Sequence, residues 1–299
     1  MRIVIAGGTG LLGKRLQKLF TLMQAEVLVL TTSGEDRFEN GIQYVKWMHG
    51  ERPEHKLENA DAFINLAGIS LNDGRWTEKK KAALLSSRIK STQEIIRIMF
   101  ALNHKPAVLI NASAVGIYSP STTAIYTEES LAEESDFLSE VVHAWENEAA
   151  KAEGFGIRTC FMRFGVLLEK DAGALPMMVL PYQLFLGGTI GSGKQWVPWI
   201  HAEDAARAIA FTIENDNLRG PINVVSPNTI QMKQFGKIIG QALNRPHFFP
   251  VPSPLLKGLL GEKSILILEG QHVVPAKLIE SGFTYKFPSL KNAILDLYN

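Results

Sequence analysis

"RIVIAGGTGLLGKRLQKLF", residues 2–20, is the stretch that decides the fold. "RIVIA" is a β-branched apolar run, the composition of a short strand buried on both faces. Gly7, Gly8, Gly10 and Gly13 follow, satisfying both a Gly8-x-Gly10-x-x-Gly13 and a Gly7-x-x-Gly10-x-x-Gly13 spacing, and "LLGKRLQKLFTLM" then reads as a helix. Glycine serves such a junction by permitting the tight turn, by letting the backbone approach a diphosphate, and by letting helix and strand pack closely. The helix N-terminus adds unpaired N–H groups facing the phosphate charge. A glycine triplet alone is weak evidence. Placed at a strand–helix junction, it predicts a dinucleotide-binding turn made of Gly7, Thr9, Gly10, Leu11, Leu12 and Gly13.

Working outward, "EVLVLTT", "IQYVKW", "DAFINLAG", "AVLINASAV" and "IRTCFMRFGVLL" read as further strands alternating with helical patterns. The helix "DFLSEVVHAWENEAAKAEG" places Phe137, Leu138, Val141, Val142 and Trp145 at helical spacing. The pattern predicts an α/β fold: a Rossmann-type, doubly wound parallel sheet with a smaller C-terminal α/β substrate domain. Residues 1–165, joined by roughly 199–226, are assigned to the nucleotide-binding domain; 166–198 and 227–299 are assigned to the small domain. "GALPMMVLPYQLFLGG" reads as either a core helix or a wall of the substrate cleft.

Lys and Arg number 31 against 30 Asp and Glu, a net charge of +1, which predicts neither a nucleic-acid nor a membrane partner. The run Lys79-Lys80-Lys81 reads as a solvated helix face. Cys160 is the single cysteine, so no internal disulfide forms, and its apolar strand predicts a buried structural thiol. The seven histidines show no metal-ligand spacing, so no metal is expected. No apolar run approaches the ~18 residues of a membrane span, and the N-terminal apolar stretch is broken at once by glycines. A cytoplasmic protein acting on a small-molecule substrate is the expectation, with a homodimer left open.

The end of the second strand separates NAD from NADP, because an acidic residue there would grip the ribose 2′-hydroxyl and repel a 2′-phosphate. Thr31-Thr32-Ser33 stands there instead, with Glu35, Asp36 and Arg37 further along. NADP(H) is therefore expected, with NAD(H) as the alternative.

"GGTGLLG", "NLAG", "SAVGIY" and "PWIHAEDAARAI", in that order, resemble the extended short-chain dehydrogenase/reductase superfamily. Within it, "IGSGKQWVPWIH", "WENEAA" and "LEGQHVVPAKLIESGFTYKFPSL" are similar to an "epimerase family" group that ends in a small C-terminal domain and includes cell-division-inhibitor-like relatives. The resemblance covers the whole chain and implies NADP(H) binding. Motif by motif it implies cofactor contacts at Thr31 and Thr32, at Leu66, Ala67 and Gly68 of the "NLAG" turn, at Arg88 of the long helix, and at Val166 after "MRFG". Relatives usually have Ser-Arg where this chain has Thr31-Thr32, and the missing guanidinium weakens the case for the 2′-phosphate unless Arg37 or Arg88 supplies the charge.

In the superfamily at large a Tyr is the acid/base, and a Lys four residues later lowers its pKa, since a phenol near pKa ~10 needs a nearby cation to act at neutral pH. The corresponding positions here are Leu138 and Val142, and no other tyrosine has a lysine four residues on. The remaining candidates for catalysis are Ser113, at the end of "NASA", and Tyr118. His201 is expected to link the domains by hydrogen bonds; Arg75, Trp76, Lys194, Gln195 and Trp196 are expected near the cleft by topology. Two readings follow: an NADP(H)-dependent oxidoreductase or epimerase-like enzyme without the usual dyad, or a non-catalytic NADP(H)-binding regulatory or redox-sensing protein.

Overall fold

The computed structural model describes residues 1–298. The chain opens with β1 (Arg2–Ala6), α1 (Leu11–Leu22), β2 (Glu26–Thr31), the hairpin β3 (Arg37–Glu39) and β4 (Ile42–Lys46), the single turn α2 (Glu54–Leu57), β5 (Ala62–Asn65) and the long α3 (Glu78–Ala101). β6 (Val108–Ala114), the short β7 (Ile125–Tyr126), α4 (Phe137–Ala150), β8 (Arg158–Phe164) and β9 (Val166–Leu168) follow. Next come α5 (Leu175–Gln183), β10 (Trp196–Val197), β11 (Trp199–His201), α6 (Ala202–Glu214), β12 (Gly220–Val224) and β13 (Ile230–Gln231). The chain ends with α7 (Met232–Ala242), α8 (Ser253–Leu260), α9 (Ile265–Leu268), β14 (His272–Val273), α10 (Ala276–Glu280) and α11 (Leu290–Tyr298).

Eight strands form one sheet in the order β12-β8-β6-β5-β1-β2-β4-β3, and every pairing is parallel except that of β3 with β4. The apolar runs explain the layering. Ile3 and Ile5 of β1 point into one core with Leu16 and Phe20 of α1 and Ile209 of α6. Val4 and Ala6, the alternate residues, point into the opposite core with Ile95 and Met99 of α3. With helices on both faces, no position of β1 can be polar without a buried partner. The expected doubly wound α/β fold is present. Strand order reverses between β1 and β5, and that reversal opens a crevice at the carboxyl ends of these two strands.

The second half adds to this sheet and builds a third core. β12 extends the sheet beyond β8, and α6 packs on the α1 face. Val179 and Tyr182 of α5, Phe235 and Ile239 of α7, and Leu290 and Ile294 of α11 form the separate core. The α5 segment thus divides its faces: Leu175, Val179 and Tyr182 are buried, while Met177, Leu180 and Leu184 are exposed. Gly165 ends β8 where a Cβ would stand 2.3 Å from the Pro198 carbonyl oxygen, and the chain turns there into β9, which pairs with β11. The strand β3, which pairs with the expected β4, and the helix α8 are elements the sequence patterns do not announce. Among the described residues, no helix is long and apolar enough to cross a membrane, and no group of three metal-ligating side chains occurs.

One carboxylate joins the two cores. Asp204, fully buried in the first turn of α6, accepts backbone N–H bonds from Lys286 and Phe287, both at 2.8 Å, and a 3.0 Å bond from Arg207. Hydrogen bonds to a charged acceptor are each worth about 1.5–3 kcal/mol, and a donor left buried without a partner costs its full desolvation. Asp204→Ala should therefore lower the unfolding free energy by about 3 kcal/mol, read as a lower midpoint in urea with an unchanged m-value.

Candidate functional site

The crevice begins at the glycine turn. Gly7 has a φ of +77°, and a Cβ on it would stand 2.7 Å from the Leu66 carbonyl and 2.9 Å from the Ala67 amide nitrogen. A Cβ on Gly13 would stand 2.4 Å from the Gly8 carbonyl oxygen. Gly10 is the N-cap of α1; no side chain caps that end and no acidic residue lies in its first turn. The first amides of α1 are thus left without the usual side-chain acceptor, and the helix dipole favours an anion there. Gln17 holds the turn from below, donating to the Gly8 carbonyl at 2.6 Å and accepting from the Tyr44 hydroxyl at 3.2 Å.

Leu66, Ala67 and Gly68 form the opposite rim. The Asn65 side chain shapes this rim, accepting from the Ala67 amide at 3.2 Å while its amide group donates to Asn111 at 2.8 Å and Thr92 at 3.0 Å. Arg88 lies along the Gly68 backbone. Its guanidinium donates to the Leu84 and Ile69 carbonyls and sits 5.2 Å from the Trp145 ring centroid. No carboxylate pairs with it among the described residues, and burial pulls its pKa down to about 10, so it remains a cation at neutral pH. A half-buried cation without an anion, lying along the Gly68 backbone, fits a phosphate-bearing ligand.

At the end of β2, the buried Thr31 hydroxyl donates to the Ser33 carbonyl at 2.9 Å and accepts from the Ser33 amide at 3.2 Å, so it shapes the turn. Thr32 is exposed. The carboxylates of the following loop are engaged: Asp36 accepts from the Lys46 amide and pairs with Lys56, and Glu35 pairs with Lys46. Lys56 and that backbone bond hold the Asp36 carboxyl below the usual carboxylate range. Arg37 stacks over the Tyr44 ring at 4.0 Å and lies beside Gly34. Beyond β4, Met48, His49 and Gly50 are all left-handed, and a hollow of about 380 Å³ lies between that turn and Lys90, Gln93 and Glu94 of α3.

Behind the crevice lies a buried polar network. Arg163 of β8 makes a double bond-pair with Glu146 of α4, at 2.9 and 2.8 Å, and donates to the Tyr118 hydroxyl at 2.9 Å. Ser113 donates to Glu146 at 2.5 Å. The Tyr118 hydroxyl reaches the Thr127 carbonyl at 3.0 Å and Asn223 Oδ1 at 2.9 Å. Burial pushes the Tyr118 phenol above its ordinary pKa, against the pull of Arg163.

Tyr118, a candidate for catalysis by sequence, is 1% exposed and its hydroxyl is enclosed by three protein partners. Ser113, 3% exposed, is likewise committed to Glu146. Of the dyad positions, Leu138 packs against Gly116, and Val142 is buried with Val115, Ile117 and Val225. Asp136 starts that helix through a reciprocal capping box with Ser139.

The remaining residues are structural in their contacts. His201 caps α6 by accepting from the Glu203 amide at 3.1 Å, and its buried Nε2 lies 3.4 Å from Asp296 of α11 without a hydrogen-bond partner. Trp196 donates to the Thr122 carbonyl and stacks on His272, and Gln195 donates to the Ile190 and Ile267 carbonyls. Trp76 packs edge-on against Phe137, while Arg75 donates to the Leu259 carbonyl. Val166 donates its amide to Pro198 at 2.7 Å. Lys194 is exposed. The Cys160 thiol is buried, donates to the Leu218 carbonyl and has a pKa pushed up to about 11, which makes it a poor nucleophile. Sequence reasoning missed Asn65, Asn111, Glu146, Arg163 and Asn223. For the four strand residues the available signal was a polar side chain inside an otherwise apolar run; Glu146, on α4, gave none.

The family model of the NAD dependent epimerase/dehydratase family matches residues 3–225, and a domain of unknown function (DUF1731) matches 251–297. The epimerase family protein YfhF of Bacillus subtilis is 46% identical over 298 residues, covering 99% of this chain and 98% of that protein. A Staphylococcus epidermidis epimerase family protein, SERP0438, is 42% identical over 296 residues, covering 99% of this chain and 98% of its own. Among solved structures, the human epimerase family protein SDR39U1 with NADPH superposes with a TM-score of 0.89 at 31% identity, covering 99% of both chains.

Two outcomes follow from the network and the cap. Tyr118→Phe leaves Arg163 and Asn223 short of a partner, and should cost about 1–3 kcal/mol in urea unfolding without altering nicotinamide dinucleotide affinity in titration calorimetry. Burial lowers the His201 pKa in the folded state. The unfolded chain then binds the extra proton first, so stability is full above the unfolded value of ~6.5 and falls as pH drops below it. His201→Ser, which can still cap the helix, should flatten the loss of unfolding free energy between about pH 7 and pH 5.

Proposed function

The chain belongs to the NAD dependent epimerase/dehydratase family, and on that footing we propose that it is an NADP(H)-binding oxidoreductase whose own residues position substrate and cofactor but supply no Tyr–Lys proton relay. The observation that carries this reading is the contrast between the two halves of the site. The diphosphate turn, the Leu66–Gly68 rim and the unpaired Arg88 are those a dinucleotide requires, whereas the dyad positions are aliphatic.

In this reading the α1 amides and Arg88 hold the phosphate charge. Thr32, the Ser33 hydroxyl and Arg37 meet the 2′-phosphate, supporting NADP(H) over NAD(H). The human relative's structure was solved with NADPH, which agrees with that choice. The hollow beside Met48 receives the adenine edge, and Val166 borders the nicotinamide end. When bound, the nicotinamide ring supplies the hydride chemistry. Leu138, Val142 and Ala114 give that end an apolar wall that excludes water. Ser113 and Tyr118 act as positioning residues, through the Glu146–Arg163 pair that braces β6 and β8 against α4.

The closure of both hydroxyls inside the protein also favours a second reading, a regulatory protein that senses the nicotinamide state without turning it over. Thermal protection by NADPH and by NADH, followed by reduced-nicotinamide consumption over a panel of carbonyl compounds and nucleotide sugars, separates the two. NADPH should raise the midpoint more than NADH, and Arg88→Ala should weaken NADPH binding about tenfold, or roughly 1.4 kcal/mol. Consumption with any substrate supports the oxidoreductase. Tight binding without consumption supports the sensor. No protection by either dinucleotide removes both.

A further inference from the structure

Nine of the nineteen large apolar side chains exposed among the described residues fall in two segments, 172–198 and 227–261, about a fifth of the chain. The outer stripe of α5 contributes Met177, Leu180 and Leu184, opposite its buried face. Phe185 and Leu186 continue from the end of α5. Phe248 and Phe249 lie alongside, since both their amides donate to the Gly187 carbonyl, at 2.8 and 3.1 Å. The stretch that carries them is anchored: His247 bonds the Tyr182 hydroxyl at 2.9 Å and the Thr189 hydroxyl at 3.1 Å. α8 follows directly, exposing Leu255 and Leu259, and none of its residues is buried. Phe248 is 78% and Met177 72% exposed, so these side chains protrude from the surface.

The charge in the same segments is one-sided. They contain Lys194, Lys233, Lys237, Arg245 and Lys257 and neither Asp nor Glu, although the whole chain is balanced at 31 against 30. That balance, which predicts no membrane partner, averages the asymmetry away. Glu262, the first carboxylate after α8, is engaged by Lys81. Arg245 stacks over Phe185 at 4.5 Å. It also walls an open groove of about 480 Å³ with Lys237, Gln241, Asn244 and Phe248.

Protruding aromatic and aliphatic tips in a field of cations match the interface of an anionic bilayer, where tips enter the headgroup–acyl boundary and Lys and Arg meet lipid phosphates. A folded protein partner would instead need a matching receptor for tips spread this widely, over α5, Phe185 and Leu186, Phe248 and Phe249, and α8. We propose that this face of the smaller core docks peripherally on an anionic lipid bilayer, with Phe248, Phe249 and the exposed stripe of α5 inserted and Lys237 and Arg245 on lipid phosphates.

Sedimentation of the full chain with phosphatidylcholine vesicles, and with vesicles of equimolar phosphatidylcholine and phosphatidylglycerol, tests this. The protein should pellet with the anionic vesicles at least tenfold more strongly than with neutral ones, and the binding should weaken as salt is raised. Phe248→Ser with Phe249→Ser, and separately Lys237→Glu with Arg245→Glu, should each remove at least tenfold of it at an unchanged thermal midpoint. Equal binding to both vesicle types, or to neither, overturns the proposal. So does a concentration-dependent dimer, seen by light scattering, that the paired Phe substitutions dissolve, because the face would then belong to a second copy.

Discussion

The arrangement depends on one close approach. The Gly7 backbone lies against the Leu66 carbonyl and the Ala67 amide with no room for a Cβ. This contact is where β1 ends, where β5 ends, and where the crossovers part to opposite faces of the sheet. A side chain there would push the two strand ends apart and close the crevice that the α1 dipole faces. The constraint explains why the glycines cluster at one junction. It also explains why the crevice survives at the junction of two well-packed cores, which would otherwise fill it.

Around that contact, a series of buried polar side chains crosses the sheet toward the carboxyl ends of the strands. Asn65 and Asn111 stand in register on β5 and β6, and Ser113, Arg163 and Asn223 continue the series across β8 and β12. Each has a partner, as a buried polar group must to avoid a cost of several kcal/mol. These side chains share one edge of the sheet and bond to the helices above it. The loops that rise from that edge, at Leu66, at Tyr118 and at Val166, are thereby fixed relative to one another. A buried ion pair such as Glu146–Arg163 adds little net stability over an apolar pair, but removing one member is costly. Its evident consequence is positional: it fixes α4 over β6 and β8.

Much of the fold was legible because the chain obeys simple periodicities. β-branched runs between helical stripes gave the parallel sheet, and the glycine spacing gave its nucleotide-binding end. The strand β3 was hidden because Arg37, Phe38 and Glu39 carry no apolar run, their strand being exposed throughout. α8 was hidden for another reason: its prolines and leucines follow an extended stretch, and no core covers any of its residues. The α5 segment posed a choice between core and cleft wall that periodicity could not settle, since its apolar residues cover both faces of the helix. The site was legible in its backbone and obscure in its side chains. Glycine spacing reports backbone geometry directly. The partner of a buried Arg163 lies 17 residues away, on another element.

The absent dyad has a physical counterpart turned inward. A tyrosine with a cation at hydrogen-bond distance does exist, in Tyr118 and Arg163, but the pair lies beneath the strand ends, with Glu146 neutralising the guanidinium. A lysine at Val142 would enter the cluster of Val115, Ile117 and Val225, where desolvation would drive its ammonium toward the neutral form and weaken it as the partner of a phenol. Leu138 against Gly116 leaves little space for a ring that must also reach a substrate. Restoring the two residues alone would therefore not restore the relay. The surrounding packing fits aliphatic groups, and the guanidinium that meets a phenol in this protein braces the wall behind the crevice.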